Sequence, residues 1–258
     1  MFRIELARFK RIMDEFANSG DPFYRRGIVK DAVGSVGASL EAKLLLPLKV
    51  AAFGVPPHAF RDYFQMSKTM SKNCCDRFNR KIIEIHHAEY LRPPTPEDLK
   101  NIVALHKSVH SGIDGMFGSL DCMHTYWKNC PCAFQGSFKG KEKKASIVLE
   151  ASSDHHSFFW HASYGYAGTL NDINIMNLSP LLNGFLDGNF EARERGCTPY
   201  NIGSEEFNKL FLLVDGIYPR YSRFVKAIKE PISHNEKKFT SFQESARKDI
   251  ERAFGILQ

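Results

Sequence analysis

FGSLDCMH, residues 117–124, reads as a short buried strand that ends on a carboxylate. Phe117, Leu120, Cys122 and Met123 are apolar or soft, and Asp121 has no basic neighbour closer than His124. A carboxylate is costly to bury unless it is paired or holds a metal. Two more acids stand in similar settings downstream. Asp215 ends the apolar run of KLFLLVDGIYP, and Glu251 lies on the helix-period segment ARKDIERAFGIL. The sequence therefore reads as a fold that gathers three distant acids around divalent metal ions.

The 258 residues suffice for one large domain, or for one domain plus a small one. No apolar run reaches the ~18 residues of a membrane span, and Phe2 to Phe16 lacks the unbroken core of a secretory signal. A net charge of +6 is compatible with a polyanionic partner. Six cysteines in a chain this long do not make a disulfide scaffold, so a reducing compartment, nucleus or cytosol, is expected.

Phe2, Leu6, Phe9, Met13 and Phe16 recur at three or four residues and predict a helix to Ala17, broken by Asp21-Pro22. Phe23 to Leu40 reads as a loop. Ala42 to Phe53 predicts a helix stopped by Gly54, then a short helix from Pro56-Pro57, then a third from Ser67 or Thr69 to about His87. Lys68, Lys72, Arg77, Arg80 and Lys81 lie on the third helix, off its apolar stripe. Short helices around tight turns suit a helix-turn-helix that binds DNA; a plain bundle with a solvated basic face fits equally. Residues 1–91 are expected to form this small helical domain, and 92–258 the second domain.

Thr95 caps a predicted helix from Pro96 to His110, which leads into the strand of Asp121. Ala145–Ser152 and Ser157–Tyr166 predict two more strands around an Asp154-His155-His156 turn. Asn171 or Thr169 opens a helical region that ends at Asp187-Gly188. Asn189 to Glu206 reads as a polar loop, Lys209–Asp215 as the most apolar strand, and Asn235–Leu257 as a long helix. Three strands in an antiparallel meander, a crossover, and a fourth parallel to the first give the expected fold class. It is α/β, a ribonuclease H-like mixed sheet with flanking helices behind a helix-turn-helix-like domain.

Cleaving a phosphodiester bond needs an activated oxygen and a stabilised leaving oxygen, and two hard cations about 4 Å apart serve both. Mg²⁺ and Mn²⁺ take oxygen ligands, so Asp121, Asp215 and Glu251 are the candidate catalytic and metal-binding residues. Each has an ordinary explanation as well: a strand-end turn for Asp121, an Asp-Gly turn for Asp215, an ion pair with Arg247 or Lys248 for Glu251. His124, Cys130, Cys132 and His161 fit no standard zinc spacing. Lys139 to Lys144, with Arg220, Arg223, Lys226 and Lys229, would line a phosphate track or simply be solvated.

GSLDCMHTYWKNCPCAFQG, SYGYAGTLNDINIMNLSPL, LFLLVDGIYP and ARKDIERAFGILQ, with the upstream FGVPPHAFRDYFQMSKT and YLRPPTPEDL, resemble the Harbinger (PIF) family of DDE transposases and transposase-derived nuclease-like proteins. The resemblance covers nearly the whole chain. It implies a nuclear, metal-dependent DNA endonuclease and strand-transfer enzyme. Such an enzyme hydrolyses a terminal-repeat strand and directs the freed 3′ hydroxyl at target DNA. The family's acids fall on Asp121, Asp215 and Glu251, and the aspartate of its GxxxD motif on Asp172, a further metal ligand or a support for the site. The resemblance also implies a Myb/SANT-like DNA-binding partner; self-association is a further expectation. The sequence stops at Gln258, seven residues past Glu251, where family chains continue, so a truncated copy is expected. Two other readings stand beside the nuclease: a domesticated binding protein without chemistry, and a metal phosphohydrolase on small substrates.

Overall fold

A computed structural model describes residues 4–27, 30, 34, 36–110, 113–140, 142–195, 197 and 199–257. Phe2, Lys141 and much of the 28–35 stretch lie outside the described residues. The chain forms two compact units, Met1–Glu89 and Tyr90–Gln258.

The first unit is helical. Its elements are α1 (Leu6–Ala17), a single 3₁₀ turn at Pro22–Tyr24, α2 (Leu40–Phe53), a 3₁₀ turn at Pro57–Phe60, α3 (Arg61–Phe64) and α4 (Lys68–Tyr90), which runs on past Glu89. Ser39 accepts from the amide of Ala42 to cap α2, and Gly54 closes it at φ 61°, a conformation that favours glycine. The Ser67 hydroxyl accepts from Met70 N and opens α4. Phe9, Phe16, Leu40, Leu44 and Phe78 pack around Tyr24, which is fully buried. Tyr24 therefore corrects the reading of its segment as a plain loop: the 3₁₀ turn delivers a core aromatic.

The second unit begins with α5 (Pro96–Val109), opened by a reciprocal cap. Thr95 accepts from Asp98 N while Asp98 accepts from Thr95 N. Asp98 also pairs with Arg92, and that bond, more than the cap, holds its carboxyl far below the usual range. Strands β1 (Met116–Tyr126), β2 (Ser146–Ser153) and β3 (Phe159–Ala167) follow, with α6 (Cys132–Gln135) between the first two. Then come α7 (Asp172–Leu178), α8 (Pro180–Leu186), α9 (Asn189–Glu194), the hairpin β4 (Tyr200–Ile202) and β5 (Glu205–Phe207), β6 (Phe211–Val214), β7 (Phe224–Lys226) and α10 (His234–Leu257). The main sheet runs β3-β2-β1-β6-β7. β1–β2 and β2–β3 are antiparallel, whereas β1–β6 and β6–β7 are parallel. The meander and the parallel return strand match the expected topology, and the fold is α/β with a mixed five-stranded sheet.

Both faces of the sheet are covered. Leu99 and Ile102 of α5, with Met176, Phe185 and Phe190 of α7–α9, pack on Phe117, Leu120, Leu212 and Val214. On the other face Ala246 of α10 meets Met116, Phe211 and Leu213, and Ile250, Ala253 and Phe254 meet Ala151. A β-bulge between Met116 and Gly118 inserts one residue opposite β6. Phe117 faces α5, yet Ser119 donates to the Ala246 carbonyl of α10. Side chains two apart on a regular strand share a face, so the bulge reverses the phase of β1.

Two further expectations fail. The supposed polar loop at Asn189–Glu206 holds α9, β4 and part of β5. Arg223, read as part of a phosphate track, is 2% exposed. Its Nη1 and Nη2 donate to Glu194 Oε1 and Oε2 at 2.6 and 2.8 Å, and Nη1 also reaches the Leu210 carbonyl. The guanidinium lies over Phe185 and Phe190. Sequence shows a charge near other charges; only packing shows that this one faces inward.

Removing one member of a buried pair leaves the other without compensation. Arg223→Ala is expected to lower stability by roughly 3–5 kcal/mol. The double variant Arg223→Met/Glu194→Leu should recover most of that, as read from urea midpoints. A carboxyl held low in the folded state contributes stability above its unfolded value, and that contribution is lost as pH falls. Stability should therefore drop below about pH 4, and Asp98→Asn should flatten that part of the pH–stability curve.

Candidate active site

β1 does not end on Asp121 as expected but runs on to Tyr126, because β2 pairs with it as far as Ser146, and Asp121 lies within the strand opposite Ala151. Because the bulge has reversed the strand's phase, Asp121 faces α10 together with Ser119 and Met123. Ser119 pairs with Leu213 of β6, so one two-residue step along both strands sets Asp121 level with Asp215. Asp215 follows the end of β6 and is exposed, its Oδ1 accepting from Gly216 N at 2.6 Å. Asp172 is the first residue of α7, capped by the Asn171 side chain.

The Asp121 carboxyl is half-buried. Its Oδ1 accepts from Cys122 N at 2.8 Å and its Oδ2 from Arg247 Nη1 at 3.2 Å. Burial pushes its pKa up; the Cys122 amide and Arg247 oppose this, and the charges of Asp172 and Asp215 add to the rise. Those two acids thus act on Asp121 from positions far apart in sequence. Arg247 Nη2 also pairs with Glu251 Oε1 at 3.0 Å, so one guanidinium spans Asp121 and Glu251. The i,i+4 half of that bridge was legible in the sequence; the half to Asp121 was not.

On the face of β1 opposite Asp121, Cys122 Sγ and Tyr218 Oη lie 3.4 Å apart. Burial raises both pKa values well above their ordinary range. Both groups stay neutral and belong to the α5 side of the sheet, where Tyr218 packs with Leu120 and Phe224. Nothing in the residue pattern marked this pair.

The four acids are neighbours but are not drawn to one point. Among the described residues, three acid, histidine or cysteine ligand atoms lie within 4.8 Å of one another only at His106, His110 and Asp249. Like charges keep apart, and Arg247 is the cation that bridges two of them. The other zinc candidates do not assemble: His124 Nδ1 meets Ser146 Oγ, and His161 Nε2 meets Glu150 Oε2, each at 3.0 Å.

The five basic residues assigned to DNA lie on α4. Lys68, Lys72 and Arg80 are exposed. Arg77 sits over the Phe23 ring and 3.7 Å from Asp21, and Lys81 is bound to Glu84 at 2.8 Å. These two have internal partners that a phosphate would have to replace.

No curated protein and no solved structure matches the chain significantly. A family model described as plant transposon protein matches residues 88–258, well over half of the sequence and the whole of the strand-and-helix frame that carries Asp121, Asp172, Asp215 and Glu251. The chain belongs to the plant transposon protein family.

Proposed function

We propose that the protein is a divalent-metal-dependent DNA nuclease of the DDE type, Harbinger-related and built on a ribonuclease H-like fold. The observation that carries this reading is the carboxylate at Asp121, raised in pKa by burial and by the neighbouring charges of Asp172 and Asp215. Such a group gains from a nearby cation, which restores its ionised form. The strand order with α10 across the sheet is that expected of a ribonuclease H-like fold. The transposon origin of the family supports DNA as the substrate.

In this reading Asp121 and Asp215 hold Mg²⁺ or Mn²⁺, with Glu251 and Asp172 completing or supporting the set. The ions, when bound, stabilise charge on the attacking and leaving oxygens of the phosphodiester. Asp121 is fixed by the Cys122 amide and by its place in a central strand. Glu251 is held by Arg247 and comes free if that guanidinium turns to a DNA phosphate. Lys68, Lys72 and Arg80 would bind the DNA backbone, a Myb/SANT-like partner would supply sequence choice, and the nucleus is the compartment.

The runner-up is a domesticated DNA- or protein-binding protein without catalysis. What favours it is Arg247, which already neutralises Asp121 and Glu251. Labelled terminal-repeat DNA distinguishes the two. The nuclease reading expects nicking in Mg²⁺ or Mn²⁺, none in a chelator, and a loss of about a hundredfold or more in Asp121→Asn. Salt-sensitive DNA binding without metal-dependent nicking would favour the runner-up.

Asp215 is level with Asp121 on the adjacent strand, whereas Asp172 sits on a helix. Asp215→Ala is expected to lower single-turnover cleavage more than Asp172→Ala. An equal or larger loss at Asp172 would exchange their roles.

A further inference from the structure

His106 lies in the last turn of α5, and His110, four positions on, is the residue that ends the helix. His106 is fully buried, and neither of its ring nitrogens has a hydrogen-bond partner. A buried polar side chain is normally paired, and an orphan of this kind asks for a missing ligand. Asp249 of α10 faces the two imidazoles and is 3% exposed. One atom from each of His106, His110 and Asp249 lies within 4.8 Å of the other two. His110 Nε2 is 2.9 Å from Asp249 Oδ2, and His155 Nδ1, from the β2–β3 turn, is 3.1 Å from both Asp249 oxygens.

We propose that His106, His110 and Asp249, with His155 as fourth ligand, form a closed structural zinc site that clips α5, the β2–β3 turn and α10 together. The donor set of imidazoles and one carboxylate suits Zn²⁺, whereas Mg²⁺ prefers oxygen alone. Tetrahedral bonds of about 2.0–2.1 Å place ligand atoms roughly 3.4 Å apart, so the atoms of His106, His110 and Asp249, within 4.8 Å of one another, draw in on the ion, and His155, already against Asp249, turns its ring toward the two histidines to complete the set. Burial pushes the His106 pKa down to about 4 against the pull of Asp249. Its ring is therefore neutral at physiological pH and offers a lone pair.

The surroundings fit a supporting role. Arg252 donates to Asp249 Oδ1 and to the His155 carbonyl, which leaves Oδ2 toward His110. Outer-shell bonds of this kind orient ligands. Asp154 is not a ligand, because its carboxylate already accepts from His156 N, Phe158 N and Trp160 Nε1. Those bonds shape the turn that presents His155. The site is separate from the acidic one: Asp249 is two residues from both Arg247 and Glu251, a step that turns about 200° around a helix.

The test uses the full chain without an affinity tag, loaded with zinc chloride and then dialysed against metal-free buffer. One zinc per chain by elemental analysis is expected, with a zinc-dependent rise in Tm that a chelator reverses. Co²⁺ in its place should give the visible absorption of a tetrahedral site. His106→Leu should lower zinc affinity at least tenfold and, in chelator, melt no lower than the unaltered chain, since it removes an unpartnered buried imidazole. His155→Ala, on a turn, should also weaken zinc binding and carries the test if His106→Leu fails to fold. Asp121→Asn should retain the zinc. Absence of stoichiometric zinc, or zinc held equally well by both histidine variants, overturns the proposal.

Discussion

A carboxylate on the central strand of a sheet covered on both faces is the constraint around which the second unit is arranged. β1 lies between an antiparallel and a parallel neighbour, with helices above and below. Asp121 must therefore find its compensation within the fold. It finds a backbone amide, one arm of Arg247, and a position near the exit of β6 where Asp215 is exposed to solvent. Burial and two neighbouring like charges still raise its pKa. In the proposed nuclease reading, that imbalance is what a bound cation would relieve.

α10 presents two distinct sets of side chains by virtue of helical geometry. Arg247 and Glu251, four apart, lie toward the acids on β1 and β6. Asp249 lies between them in sequence but points to the histidines of α5 and the β2–β3 turn. Ala246, Ile250 and Ala253 form the apolar seam that holds the helix on the sheet. Small residues at 246 and 253 allow close approach, and that closeness brings Arg247 within reach of Asp121.

Much of the frame was legible in the residues. Caps at Ser67, Thr95 and Asn171 marked helix starts because their hydroxyl or amide oxygens satisfy otherwise orphaned amides. The apolar run before Asp215 marked a strand buried on both faces. The stretch from Asn189 to Glu206 misled because a short helix and a two-stranded hairpin carry few apolar residues. Glu194 and Arg223 looked like surface charges for the same reason: composition gives charge, whereas depth comes from what packs around it. The buried pair is satisfied by two opposed hydrogen bonds and by stacking on Phe185 and Phe190.

The sequence by itself determined most of the helices and strands, that Asp215 follows an apolar strand, and that Glu251 lies on a long amphipathic helix. Those are local properties of periodicity, capping and turn chemistry. Only the tertiary structure decided which way Asp121 points. One extra residue in β1, near Gly118, turns its carboxylate from the α5 face to the α10 face. A bulge is defined against a partner strand, here β6, nearly a hundred residues later, so no local pattern in β1 could have announced it. The same holds for the second arm of Arg247 and for the meeting of His106, His110 and Asp249, which exist only where distant helices close on the sheet.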